Sequence, residues 1–432
     1  MNKAANDQEL RKAAAQFLSA AWAARCKSEE EVKAALESGL GARFLDGAMF
    51  THTVDVRKAL AALSRRTIKV LGTKAVHEND IEDAAWKRAV ETDGVNSESK
   101  AVELIRDLDT LGATTYLCIV PNYAIHFVDA VQNIDVGPVR ACLSEDLLTK
   151  LGRQNKNTNL EFEISANPGF NFEGKKGKIA LARVSWEVKV TASRGNVKEE
   201  ALWLINIALS LLRLSYPAGR VPTLFPGLGE TETYPIRRPE TRDRSVIIKE
   251  IDDGLFGGGW SAPRIYTINQ RLLEHHQQIG FADRTRQIFE HRAKTIGERV
   301  AQGLGWMARG RQAEERSERF LFFFTAIEAL LSSDDKTAPV IQTIARRAAT
   351  MLVQNPSHRH DFASNISRQY AVRSALVHGG KRNVSNMEAH DAQLLEEALY
   401  WAVLQHVPLD TAIDRFEESL GRCSYGIPWP EQ

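Results

Sequence analysis

Apolar residues recur at helical spacing through the first hundred positions. Alanine-rich segments broken by charges run near 7–25, 28–38, 54–70, 81–92 and 98–109, and each predicts an amphipathic helix. Ser28 followed by Glu31 has the form of a capping box. From about residue 113 the period changes. Residues 114–120 and 125–131 are short β-type runs around Pro121-Asn122. Residues 178–191 alternate, with Ile179, Leu181, Val184, Trp186, Val188 and Val190 set among polar neighbours. Asn196 then caps a strongly apolar helix over 197–214. Prolines and glycines make 216–244 a loop-rich stretch. A strand follows over 245–250, ending near Gly257-Gly258-Gly259.

Beyond about residue 265 the helical period returns and persists to about 420. The predicted helices are 267–278, 282–309, 312–332, 337–353, 358–378, 386–406 and 409–420. Ser385 and Asp410 are suitable N-caps, and Pro339, Pro356 and Pro408 stand at or just before helix starts. The expected fold class is therefore α+β and multidomain. A helical region covers 1–110. A mixed region with an antiparallel-type sheet, expected to sense or regulate, covers 111–264. An all-α bundle covers 265–432.

Composition narrows the class. The chain has 432 residues, 43% hydrophobic and 26% charged, with a net charge of +1. That profile fits a globular protein and argues against a strongly basic nucleic-acid binder. Cys26, Cys118, Cys142 and Cys423 are far apart and form no CxxC pair, so reduced thiols and a cytoplasmic location are expected. The N-terminus has no signal-like apolar region. The apolar stretches 202–212 and 320–331 are too short for a membrane span, which needs roughly 20 residues.

Candidate chemistry concentrates in Tyr370-Ala-Val-Arg373-Ser374-Ala-Leu-Val-His378-Gly-Gly. A guanidinium grips a phosphate and an imidazole moves protons near neutral pH. The same spacing occurs at Arg271/His276 and Arg286/His291, but those segments read as solvated helix faces. Only Arg373/His378 lies in an otherwise apolar turn closed by two glycines. Five helical residues turn through about 140°, so a helix ending at Gly379 is expected to re-aim His378 toward Arg373. Glu328 is the only charge in the apolar run 320–331 and needs a partner, with Arg373, Arg346 and Arg347 as candidates. Tyr370, three residues before Arg373, either contacts phosphate or packs. Between 281 and 421 there are 15 Arg and 3 Lys against 18 acidic residues, an arginine-rich balance suited to directed phosphate contacts.

Other patterns carry less. Glu187-Val-Lys189 matches half of a metal-dependent nuclease motif but lacks the upstream aspartate. His358-Arg-His360-Asp361 has metal-ligand residue types in an expected exposed turn. His275-His276 reads as helix surface. Gly257-Gly-Gly259-Trp260 lacks the context of a phosphate loop. No metal or cofactor is expected.

Three segments occur in order: Phe322-Phe-Phe-Thr-Ala-Ile-Glu328-Ala-Leu-Leu331, Ile344-Ala-Arg346-Arg347-Ala-Ala-Thr-Met-Leu352, and the Tyr370–Gly380 segment. Together they resemble the HEPN superfamily, most closely its ApeA-like branch, over about a third of the chain. The resemblance implies a helical HEPN bundle that forms a homodimer, with two Arg-His pairs facing one cleft. It implies a metal-independent endoribonuclease of bacterial antiphage defence, acting by abortive infection. In that reading Arg373 binds the scissile phosphate of an RNA substrate and His378 is general acid or base. Ser374 stands where many members carry Asn, Asp or His. The products would be a 2′,3′-cyclic phosphate and a 5′-hydroxyl. The N-terminal region would answer a phage-derived or nucleotide trigger. The alternative is a non-catalytic module that binds RNA or protein.

Overall fold

Asp7 serves two elements at once. In the computed structural model of the chain, it caps α1 (Gln8–Ala23) by accepting from the Leu10 amide at 2.7 Å. The same carboxylate takes hydrogen bonds of 3.0 and 2.6 Å from Arg66. The structure describes all residues except 1–3, 5, 40, 73–75, 94–95, 113, 123, 152–153, 156–159, 166–168, 174–175, 216–246, 252–253, 259–265, 279–280, 314, 333–338, 381–382 and 431–432. The loop-rich stretch 216–244 thus lies outside the described residues. The fold is mixed α and β and forms two compact units. One comprises residues 1–118 and 189–202, the other 119–188 and 203–432.

In the first unit α1 is followed by α2 (Glu29–Glu37), β1 (Ala42–Leu45), β2 (Ala48–Thr51), α3 (Val54–Leu71), α4 (Glu78–Val90) and α5 (Ser97–Leu111). The apolar faces read from the sequence converge on one core: Leu10, Phe17 and Leu18 of α1, Leu63 of α3, Trp86 of α4, and Leu104 and Leu108 of α5. Burying each large side chain contributes about 1.5–3 kcal/mol. Trp86 meets Phe17 edge-on and Phe50 at a tilt, both at 5.3 Å. Ser28 caps α2, but the Glu31 carboxylate reaches the Lys27 amide, one residue outside the expected box. Helix α4 starts three residues early because the His77 ring accepts from the Asn79 amide and acts as its cap. The β1–β2 hairpin was not expected. It turns on Asp46-Gly47, both left-handed at φ 45° and 79°, the backbone pattern of a tight two-residue turn.

The strands that follow are β3 (Thr115–Pro121), β4 (Ile125–Phe127), β5 (Asn133–Val136) and β6 (Val139–Leu143). After α6 (Ser144–Leu151) come β7 (Gln154–Asn155), β8 (Leu160–Ile164), β9 (Gly169–Glu173), β10 (Lys176–Leu181) and β11 (Val184–Thr191). Next are α7 (Val197–Ser215), β12 (Ile247–Ile251), β13 (Gly254–Gly258) and β14 (Tyr266–Ile268). The single strand expected over 178–191 is two strands in two sheets. β10 lies in the order β7-β8-β10-β9, and β11 in the order β3-β11-β6-β5. The chain bends at Arg183, whose carbonyl accepts from the Ser144 amide, and Val184 to Val188 are all buried rather than alternating. Of the run at 125–131, Ile125–Phe127 form the strand, parallel to β14, and the Val128 amide adds a bond to the Ile268 carbonyl. β8 and β10 are also parallel, so the antiparallel sheet is accompanied by parallel pairs.

Eight helices complete the second unit: α8 (Gln270–Gln278), α9 (Phe281–Phe289), α10 (Ile296–Gln312), α11 (Arg316–Leu331), α12 (Val340–Leu352), α13 (Pro356–His378), α14 (Asn386–His406) and α15 (Ile413–Cys423). The helix expected over 282–309 is broken in two. Lys294 is left-handed at φ 62°, and the backbone around it bonds to 409–413: Ile296 N to Thr411 O, Gly297 N to Leu409 O, and Ile413 N to Lys294 O. Asp410 is drawn into this connection, and Ala412 takes the N-cap position of α15. Ser385 and Glu388 form a complete capping box on α14. Helix α10 carries bare α-carbons where large rings press in. A Cβ on Gly303 would meet the Tyr400 hydroxyl, and one on Gly310 the Phe323 ring.

Candidate functional site

Three side chains on two helices form the centre of the site. Helix α13 begins at Pro356, with the Asn355 side chain accepting from the Ser357 amide, and stays helical through His378. Only Arg359, Ile366 and Tyr370 of its 23 residues are buried. The Tyr370 ring packs edge-on against Phe324 of α11 at 6.1 Å. Its hydroxyl donates to Glu328 Oε1 at 2.7 Å, and Arg373 Nη2 donates to Glu328 Oε2 at 3.1 Å. The guanidinium carbon lies 5.6 Å from the Tyr370 ring centroid. Of the three proposed partners for Glu328, Arg373 is the one it meets.

Burial pushes the Tyr370 hydroxyl up to about 12, and the hydrogen bond to Glu328 adds to it. The phenol therefore stays protonated at neutral pH and its proton is committed to the carboxylate. Arg373 Nε is buried without a hydrogen-bond partner among the described residues. Ser374 is half-buried, while His378 is exposed as the last helical residue. The glycines stop the helix as expected: Gly379 bonds back to the Ala375 carbonyl and Gly380 turns left-handed at φ 69°. They do so one residue too late to re-aim the histidine. A helix regular through His378 keeps the two positions about 140° apart in rotation and about 7.5 Å apart in rise.

The other arginines divide. Arg346 is exposed. Arg347 is buried, donating to the Leu331 carbonyl and to Glu417 Oε2, both at 2.8 Å. Arg299 donates to the other oxygen of Glu417, also at 2.8 Å. Arg347 thus joins α12 to α15 and takes no part in the Glu328 site. The arginine-rich balance has the same explanation in part: Arg299, Arg311, Arg319, Arg347 and Arg359 are buried inside the bundle, where no phosphate reaches them. Arg359, for instance, donates to the carbonyls of Val353 and Cys423.

A second buried ion cluster had no signal in the sequence. Glu397 of α14 receives Arg311 of α10 at 2.8 Å and Arg213 of α7 at 3.2 Å. Burial raises the Glu397 carboxyl, but the two arginines and hydrogen bonds from Arg311 and Gln393 outweigh it and hold the group below its ordinary value. Its partners come from helices more than 80 positions away in the chain, a separation that local pattern does not register.

The remaining motifs are dispersed. Glu187 is buried and ion-paired with Lys150 of α6, whereas Lys189 is exposed. His358 and His360 are exposed in the first turn of α13, not in a loop. Arg286 is exposed near Asp283 and Glu290, and the His291 ring bonds to the Ile288 carbonyl. Arg271 is exposed. The side chains of His275 and His276, and residues Gly259 and Trp260, lie outside the described residues. Among the described residues no cluster of His, Cys, Asp and Glu is placed to hold a metal ion. All four cysteines are free thiols, and no described helix is long and apolar enough to cross a membrane.

No family model matches this chain, and no curated protein or solved structure is significantly similar to it.

Proposed function

We propose that the C-terminal bundle is a HEPN-type, metal-independent endoribonuclease acting as a homodimer. One observation carries the reading: Arg373 is held by Glu328 at the exposed end of α13, one and a half turns from the exposed imidazole of His378. Anchoring through Nη2 leaves the Nη1 edge, which has no hydrogen-bond partner among the described residues, for a phosphate oxygen. The charge that builds on the phosphate during attack is stabilised there.

The chemistry follows from the two groups. The ribose 2′-oxygen attacks phosphorus and the bond to the 5′-oxygen breaks. One imidazole takes the 2′-hydroxyl proton and another gives a proton to the leaving 5′-oxygen. Two histidines are required, and a second copy supplies the second. DNA has no 2′-hydroxyl and is inert.

The shape of α13 supports pairing. Helices α12 and α13 are joined by a three-residue link and pack together, yet have 13 and 23 residues. They are about 20 and 35 Å long, so the end of α13 overhangs α12. Val377 there is 48% exposed, and Val340 and Ile341 at the same end of the hairpin are exposed as well. We take the N-terminal unit as the regulatory part that answers a phage-derived or nucleotide trigger, in bacterial antiphage defence.

A second reading rests on the same helix. The rotation of about 140° between positions 373 and 378 and the pairing of Arg373 with Glu328 also suit a non-catalytic RNA- or protein-binding module. Labelled RNA incubated with the purified full chain in excess EDTA separates the two. The nuclease yields 2′,3′-cyclic phosphate ends that disappear on His378→Ala. RNA retained uncut by the unaltered chain favours the second reading.

A further inference from the structure

Arg309 stands apart from the other exposed arginines of the second unit because it lies against two indole rings. Arg286 and Arg422, by contrast, face carboxylates. Arg309 is exposed and has no ion-pair partner among the described residues. Its guanidinium carbon lies instead 5.1 Å from the ring centroid of Trp203 and 4.8 Å from that of Trp306. Trp306 stacks in turn on Phe322 at 5.7 Å with 20° between the planes, and meets Trp203 edge-on at 6.0 Å. All three rings are half-buried.

The arrangement is built into the backbone. Trp203 lies against the bare α-carbon of Gly305, where a Cβ would fall 2.3 Å from the indole. The α10–α11 hairpin sets Phe322 opposite Trp306. A guanidinium laid on indole faces loses rotamer freedom but none of its charge, because its partners are neutral.

We propose that this stack is a second contact for single-stranded RNA, with Arg309 holding a phosphate and the neighbouring indole edges packing against a base. The inference rests on the nuclease reading for its ligand and deepens it by naming unpaired RNA as the substrate class. A cation set beside aromatic rings suits a polymer in which phosphates alternate with aromatic bases. An acidic peptide would call for a row of cations. Phe322 and Glu328 share α11, six positions apart, so the stack is about 9 Å along that axis from the candidate active site and about 120° around it. Nothing in the stack reads a 2′-hydroxyl, so single-stranded DNA competes here although it is not cut.

The test is fluorescence anisotropy of the full chain with a labelled unpaired RNA of about 15 nucleotides, within the range such surfaces cover. Arg309→Gln should weaken binding by about tenfold, and RNA should quench indole emission less in Trp306→Leu than in the unaltered chain. Arg309→Lys, which keeps the charge and loses the planar stack, should fall between. Circular dichroism checks that each variant is folded. Unchanged affinity in Arg309→Gln overturns the inference, as does displacement of the RNA by an acidic peptide but not by single-stranded DNA. Cleavage is scored separately on the same samples. Arg309-dependent binding without cleavage removes the nuclease reading and leaves this contact standing; cleavage with Arg309-independent binding does the reverse.

Discussion

Arg373 and Glu328 meet through one hydrogen bond, Nη2 to Oε2 at 3.1 Å, while the other carboxylate oxygen takes the Tyr370 hydroxyl. The carboxylate therefore fixes the guanidinium from behind. Glu328→Gln keeps the shape and removes the charge. It should cost about 1–2 kcal/mol of stability in denaturant unfolding, from the loss of a charged hydrogen bond. If Arg373 binds the scissile phosphate, cleavage should also fall by about ten- to hundredfold, because a loosely held guanidinium stabilises the transition state poorly. A stability loss with cleavage unchanged would show that the pair is only a strut.

Tyr370 should resist ionisation. The fold raises its hydroxyl from 10 to about 12, so the neutral phenol is the favoured form. Its contribution is complete below the ordinary value of 10 and is lost as pH rises through about 12. Phenolate absorbance of the unaltered chain and of Tyr370→Phe should coincide through pH 10 and diverge by one tyrosine only as pH approaches about 12. A difference spectrum that appears at pH 10 contradicts the hydrogen bond to Glu328.

His378 is exposed, so its removal should leave the fold intact. His378→Ala should change stability by less than about 0.5 kcal/mol, as expected for a surface position. On the proposed ribonuclease reading, RNA cleavage should vanish while RNA binding persists. Retained cleavage with metal chelated would remove the imidazole from the mechanism.

Self-association is checked at the overhang of α13. If the chain pairs as proposed, Val377→Asp, which puts a charge on an exposed apolar position, should shift the mass seen by light scattering from dimer toward monomer. Cleavage should fall with it. A chain that is monomeric and active at micromolar concentration excludes the paired-site arrangement.

Acid should loosen the bundle through Glu397. A carboxyl held below its ordinary value of 4.5 contributes stability above that pH and loses it as pH falls toward its lower folded value. Arg311→Leu leaves that carboxylate with one cation fewer in a buried site and should cost about 3–5 kcal/mol. Thermal melts at pH 7 and pH 4 measure both. Equal melting temperatures for the variant and the unaltered chain would contradict the pairing.

Elements with an amphipathic period and a recognisable cap were legible in the sequence. Ser385-Asn-Met-Glu388 announced α14, and the 197–214 run announced α7 to within a residue of its end. Asp46-Gly47 between short apolar runs was a readable hairpin signal that the surrounding helical period obscured. The break between α9 and α10 carries no proline or glycine. It depends on backbone bonds to residues 409–413, which local pattern does not contain. The site shows the same division. Glu328 declared its need for a partner by its isolation among apolar residues, and Arg373 answered. Arg347 could not be set aside from sequence, because Glu417, its partner, is 70 positions away.

The glycines of α10 have a consequence for how the bundle comes together. Gly303, Gly305 and Gly310 each disfavour helix by about 1 kcal/mol relative to alanine. As a free peptide, Ile296–Gln312 should be a random coil in water. It becomes helical only when Tyr400, Trp203 and Phe323 are already there to lie against its exposed backbone. The most enclosed rod of the bundle should therefore owe its helicity to the rings around it more than to its own sequence.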